Sequence, residues 1–138
     1  MRKSGGSSEV TIGYAAGPTG SGVAYASLGR AGADNVLRLP FRIAGLCARL
    51  ERAASYAALV AVAQALRERG VARVRFVLPD EQFVDEVTSR GEVPENLVMP
   101  YVRLRCALNA FDTFEIISGA TDDLMQRARA EVALNQAA

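Results

Sequence analysis

A chain of 138 residues, half of it apolar and 22% charged, is sized for one domain with a substantial core. Its formal net charge of +1 supplies no overall field to draw it onto nucleic acid. It has no histidine, which excludes Ser-His-Asp and Cys-His catalysis and zinc held by imidazole. Any chemistry therefore falls to carboxylates, with or without a metal.

No apolar run approaches the roughly 18 residues that a membrane span needs. Residues 1–8 carry two cations with no apolar stretch behind them. They read as a disordered tail rather than a secretory signal, ahead of a single domain over 9–138. Residues 9–16 (EVTIGYAA) alternate as a strand. Residues 17–22 (GPTGSG) are turn chemistry, and 23–28 (VAYASL) read as a second strand. After another turn, 35–43 (NVLRLPFRI) form a third. Pro40 cannot donate to a ladder, so that strand belongs at a sheet edge.

From about residue 46 to 69 the period becomes helical. Tyr56, Leu59, Val60, Ala63 and Leu66 line one face, and Ala58, Val62 and Ala65 line the other. A helix apolar nearly all round is buried on more than one side, and Gly70 is its expected C-terminal cap. Residues 71–78 (VARVRFVL) form a fourth strand. Asp80 then caps a helix over 81–89. Residues 95–111 are helical with a break at Pro100, 113–117 form a fifth strand, and 121–135 form a terminal helix capped by Thr121 or Ser118. The aromatics Tyr14, Tyr25, Tyr56, Phe76 and Phe114 are read as core. The helical crossover into strand four requires parallel pairing there. The expected fold is α/β, in the order β-β-β-α-β-α-α-β-α. It has a mixed five-stranded sheet, with a three-stranded antiparallel meander plus two parallel strands, flanked by helices.

Residues 17–22 match the G-x-x-x-x-G part of a phosphate loop. Val23 and Ala24 stand where the motif needs Lys and Ser or Thr, and a strand follows instead of a helix. A hairpin turn is the expectation. Asp80-Glu81 at the end of strand four and Asp122-Asp123 at the start of the last helix suit either helix capping or a divalent cation. Fifteen of the sixteen cations are arginines, which fits bidentate phosphate contacts or a GC-rich coding composition. Cys47 and Cys106 lie in apolar helical contexts and read as buried free thiols of a reducing cytoplasm.

Taken together, these pieces resemble the ribonuclease H family over residues 9–135, type 1 ribonucleases H and reverse-transcriptase-like domains in particular. A Gly-rich hairpin follows strand one. The family's Glu-Tyr-x-Ala-Leu appears as Ser55-Tyr56-Ala57-Ala58-Leu59. Its Asp-Ser-Gln and two apolar residues appear as Asp80-Glu81-Gln82-Phe83-Val84. Its Ala-Asp-x-Leu-Ala appears as Thr121-Asp122-Asp123-Leu124-Met125. The resemblance implies four carboxylates around two Mg²⁺ ions, and Asp80 and Asp122 match two of them. Ala15 stands at the strand-one Asp and Ser55 at the helix Glu, and the late-loop His is absent.

That pattern leads to the expectation of a degenerate, non-catalytic domain, with no cofactor or only weakly bound Mg or Mn. It would bind an RNA/DNA hybrid or structured RNA through backbone phosphates, with Arg49, Arg52, Arg103 and Arg105 as contacts. One alternative is a protein-interaction module, homodimeric through the terminal helix (Leu124, Met125, Val132) or the edge strand around Pro40. Another is a weak Mg- or Mn-dependent endoribonuclease acting on RNA/DNA hybrid. It would use a displaced site of Glu51, Asp80 and Asp122, with Glu81 and Asp123 beside the two retained acids. A cytoplasmic location without membrane attachment completes the expectation.

Overall fold

The computed structural model describes residues 8–29, 35–43, 50–88 and 93–137, the side chains at 50, 51, 136 and 137 excepted. Strands β1 (Ser8–Ala16), β2 (Ser21–Leu28) and β3 (Val36–Arg42) form the antiparallel meander. Helix α1 (Leu50–Glu68) crosses to β4 (Arg73–Leu78), which pairs parallel with β1. Helix α2 (Glu81–Thr88), a 3-10 turn (Glu95–Leu97) and α3 (Val98–Leu108) lead to β5 (Thr113–Ser118), parallel to β4. Helix α4 (Asp122–Ala137) follows. The sheet order is β3-β2-β1-β4-β5, so the mixed sheet read from the pattern is the one formed. Pro40 lies on the edge strand, where its missing N–H faces no partner strand.

Side chains alternate along β1. Val10, Ile12 and Tyr14 are buried in the main core with α1. Helix α1 buries Tyr56, Leu59, Ala63 and Leu66 on one side and Ala58 and Val62 on another. It packs on the sheet and against α3, as a helix apolar all round must. Its end is closed at Gly70, whose φ of +80° suits a residue without Cβ, and the Val71 N–H reaches back to the Leu66 carbonyl. The other face of β1 carries α4 at very close approach. A Cβ on Gly13 would lie 2.4 Å from the Leu124 carbonyl carbon and from the Met125 nitrogen.

Several local expectations are corrected. Pro100 does not break the helix. It sits in the first turn of α3, where no backbone N–H is needed, and the change from 3-10 to α geometry falls at Leu97 and Val98. Cys106 is exposed, because α3 turns it away from α1; Cys47 lies outside the described residues. Tyr25 and Phe114 are only half-buried, each covered by an arginine, Arg127 and Arg105 respectively. Thr121 precedes α4 as expected, but its hydroxyl is buried with no hydrogen-bond partner among the described residues, so it does not cap. Leu124 and Met125 face β1, with the Met125 sulfur accepting the Tyr14 N–H. That part of the proposed dimer surface is spent on the sheet.

On the α4 side, Tyr25 and Arg38 are directly paired across β2 and β3, and both reach Glu131. The Arg38 Nε donates to the two carboxylate oxygens at 2.8 and 3.0 Å, and the Tyr25 hydroxyl donates to one of them. These donors hold the Glu131 carboxyl down at about 2, against an ordinary value near 4.5. A depressed carboxyl stabilises the fold above its unfolded pKa and loses that contribution as pH falls through the folded one. The advantage of the natural chain over Glu131→Gln should therefore be full above about pH 5 and vanish toward about pH 2. Urea titrations of both proteins across that window check this.

Candidate functional site

β1, β4 and β5 run in the same direction, so their C-terminal ends meet at one end of the sheet. The Gly119 N–H donates to the Leu78 carbonyl at 2.9 Å and ties the β5 exit to the β4 exit. β1 has an antiparallel neighbour on one side and a parallel one on the other. Crevices at such points are where mixed sheets bind ligands.

Asp80 follows β4 and caps α2 as its position suggested: its Oδ1 accepts the Phe83 N–H at 3.2 Å. Its other oxygen lies 3.7 Å from the Arg52 Nε. Arg52 enters from the first turn of α1 and also donates to Glu86 at 2.6 Å and to Gln82 at 3.2 Å. Gln82 and Glu86 are one turn apart on α2, so a single guanidinium fork spans both. Glu86 further accepts the Tyr56 hydroxyl. Burial, together with that carboxylate, holds the Tyr56 phenol well above its usual range. The Arg52 and Glu86 side chains are only 15% and 9% exposed.

Ser55 is fully buried on α1, and its hydroxyl meets the Tyr14 hydroxyl at 2.5 Å. The strand-one side chain facing Ser55 is therefore Tyr14, not Ala15. Ala15 shares the parity of Gly13, and the period of two turns it to the α4 face. Ala15 is the next residue along β1 from the side chain that meets Ser55. The signal was available in the large apolar side chains at Val10, Ile12 and Tyr14, which mark the inward face.

The other expected residues fare unevenly. Asp122 and Asp123 are exposed in the first turn of α4, and Glu81 is exposed on α2. Arg103 is exposed; Arg105 is half-buried with its guanidinium 5.6 Å from the Phe114 ring centre. Arg52 is turned inward onto carboxylates, which corrects its reading as a phosphate contact. Arg49 and the Glu51 side chain lie outside the described residues. Glu86 and the Tyr56 hydroxyl were missed. Their only trace in the sequence is the i, i+4 spacing of Gln82 and Glu86.

A two-metal centre does not fit these residues. Tyr14 and Ser55 present two neutral hydroxyls that hydrogen-bond to each other, whereas protein sites for hard divalent cations are built chiefly on carboxylates. Asp80 is taken up by a backbone N–H and a guanidinium. Among the described residues, no group of three or more His, Cys, Asp or Glu could hold a metal ion. The cluster can hold charge and fix α1 against α2.

No protein-family model matches the chain, and no curated protein matches it. Solved structures do. The chain is similar to RNase H1 from the halophilic archaeon Halobacterium salinarum, with a TM-score of 0.72 at 19% identity over 94% of this chain and 99% of that one. It is similar to the N-terminal RNase H domain of a Mycobacterium tuberculosis protein, with a TM-score of 0.67 at 18% identity over 94% and 99%. It is also similar to LC11-RNase H1, isolated from compost by a metagenomic approach, with a TM-score of 0.69 at 16% identity over 95% and 97%. The chain thus has the ribonuclease H-like fold. Among the described residues, no helix is long and apolar enough to cross a membrane.

Proposed function

We propose that this chain is a ribonuclease H-like domain that binds nucleic acid without cleaving it by two-metal hydrolysis. The observation that carries the reading is the Arg52 guanidinium set between Asp80 and Glu86, beside the Tyr14–Ser55 hydroxyl pair. A cluster of bare carboxylates repels a phosphodiester until cations are bound. Here the cation is part of the chain. The Arg52 guanidinium offsets one of its two carboxylate partners, so the repulsion that a nucleic-acid backbone meets at this end of the sheet is reduced without Mg²⁺. The near-neutral net charge favours modest, salt-sensitive binding over tight non-specific binding.

The test uses a labelled RNA/DNA hybrid and a structured RNA at low salt, in EDTA, Mg²⁺ and Mn²⁺. The expected result is equal retention in all three, no cleavage product, and retention that falls as salt rises. Cleavage that disappears in both Asp80→Ala and Asp122→Ala would replace this reading with a rearranged carboxylate nuclease. No retention at low salt would shift it to a protein-interaction module, which the exposed apolar stripe on α3 favours.

A further inference from the structure

The stripe is on the exposed side of α3, whose Leu104, Ala107 and Leu108 are buried. Among the described residues, four large hydrophobics are exposed, and three of them are on α3: Val98 (42%), Met99 (67%) and Val102 (46%). Val98 and Val102 are one turn apart, as are Met99 and Arg103, so the four form one patch. The patch opens into a groove of about 330 Å³ between the end of β3, α1 and the start of α3. Phe41, Ile43, Val60, Met99 and Pro100 give it an apolar floor and walls.

Among the described residues, the charged side chains that line the groove are of one sign. Its lining contains Arg42 and Arg103 and no Asp or Glu. Neither arginine has an acidic partner among the described residues; Arg42 donates only to the Ser21 hydroxyl, at 3.0 Å. By contrast, Arg38, Arg52 and Arg75 each have a carboxylate partner. Two uncompensated cations beside an apolar groove call for an occupant with apolar side chains flanked by negative charge. A second copy of the same face would set arginine against arginine, so self-association through it is disfavoured. A nucleic-acid strand would satisfy the arginines but would leave the aliphatic stripe of Val98 and Val102 in water.

We propose that this groove docks a short amphipathic segment of another protein. Its apolar side chains enter between Phe41 and Met99 and run along Val98 and Val102, and its acidic residues meet Arg42 and Arg103. The inference does not rest on the nucleic-acid reading: Tyr56 lines the groove as well as reaching Glu86, but Arg42, Arg103 and the exposed stripe are not part of the Arg52 cluster.

The test pans a display library of random twelve-residue peptides against the full chain. The expected result is enrichment of peptides that combine Asp or Glu with Leu, Ile, Phe or Met. The leading peptide should bind Met99→Glu, and separately the double variant Arg42→Glu/Arg103→Glu, at least tenfold more weakly. Each substitution is at the surface, and melting curves close to that of the natural chain identify folded variants. Enrichment of basic or neutral peptides, no enrichment over the bare support, or indifference to both variants would overturn the proposal. So would loss of oligothymidylate binding in the same variants with peptide binding unchanged, which would give the groove to single-stranded nucleic acid. Hybrid retention by the Met99→Glu protein keeps the two proposals separable.

Discussion

Gly13→Ala should cost about 3 kcal/mol, the upper end of the range for overpacking a well-filled site. In strand terms the change is favourable, since glycine inside a strand is entropically costly. The loss comes from what lies above it. The added methyl would meet the Leu124 carbonyl carbon and the Met125 nitrogen at 2.4 Å. Both are backbone atoms of α4, so no rotamer change relieves the contact, and the helix itself must lift. Lifting α4 also strains the Tyr14 N–H contact to Met125 and the Glu131 contacts to Arg38 and Tyr25. The melting temperature should fall by about 10 °C for a chain of this size. Hydrogen exchange should show α4 losing protection before β1 and β4. A variant melting within about 2 °C of the natural chain would mean that α4 is not seated on Gly13.

Gly13 also shows where the sequence stops being legible. Alternation in EVTIGYAA places a strand and marks Val10, Ile12 and Tyr14 as one face. It cannot say whether a glycine there is a weak strand residue or the seat of a helix more than a hundred residues later. The fold itself was readable, because periods of 2 and 3.6, Gly70, Asp80 and Pro40 are local signals, and each formed the feature its chemistry predicts. The geometry at the end of β4 was only half readable. Motif order pointed to Asp80 and Ser55, and the structure sets Asp80 against Arg52 and Ser55 against Tyr14. That Tyr14 and not Ala15 meets Ser55 is a one-residue register question that only pairing resolves. Arg52 looked like a surface cation, because its partners are on α2, thirty or more residues along, and nothing local announces them. Long-range ion pairs leave no period in a sequence. For the same reason the Tyr25–Arg38–Glu131 cluster became visible only once β2, β3 and α4 were brought together.

Arg52→Ala should destabilise the fold by about 2–3 kcal/mol, below the 3–5 kcal/mol of a fully buried pair because the cluster is partly open to water. The main loss is not the attraction itself. It is Glu86, left largely buried with the Tyr56 hydroxyl still donating to it. Asp80 is more exposed and keeps its bond from the Phe83 N–H, so it contributes less. The argument has a sharp consequence: removing the second charge should repair part of the damage. Arg52→Ala/Glu86→Gln should be more stable than Arg52→Ala alone, since a neutral amide is cheaper to bury than an unpaired carboxylate. Arg52→Lys should fall between the natural chain and Arg52→Ala, because an ammonium restores the charge without the planar fork that reaches Glu86 and Gln82 together. Urea unfolding of these variants closes the cycle. If the double variant is the least stable, the cluster is held by packing and not by charge, and the guanidinium cannot be standing in for a cation. If the order is as argued, the melting temperature of the natural chain should be the same in EDTA and in Mn²⁺, because Arg52 already bridges the carboxylates that a cation would otherwise hold.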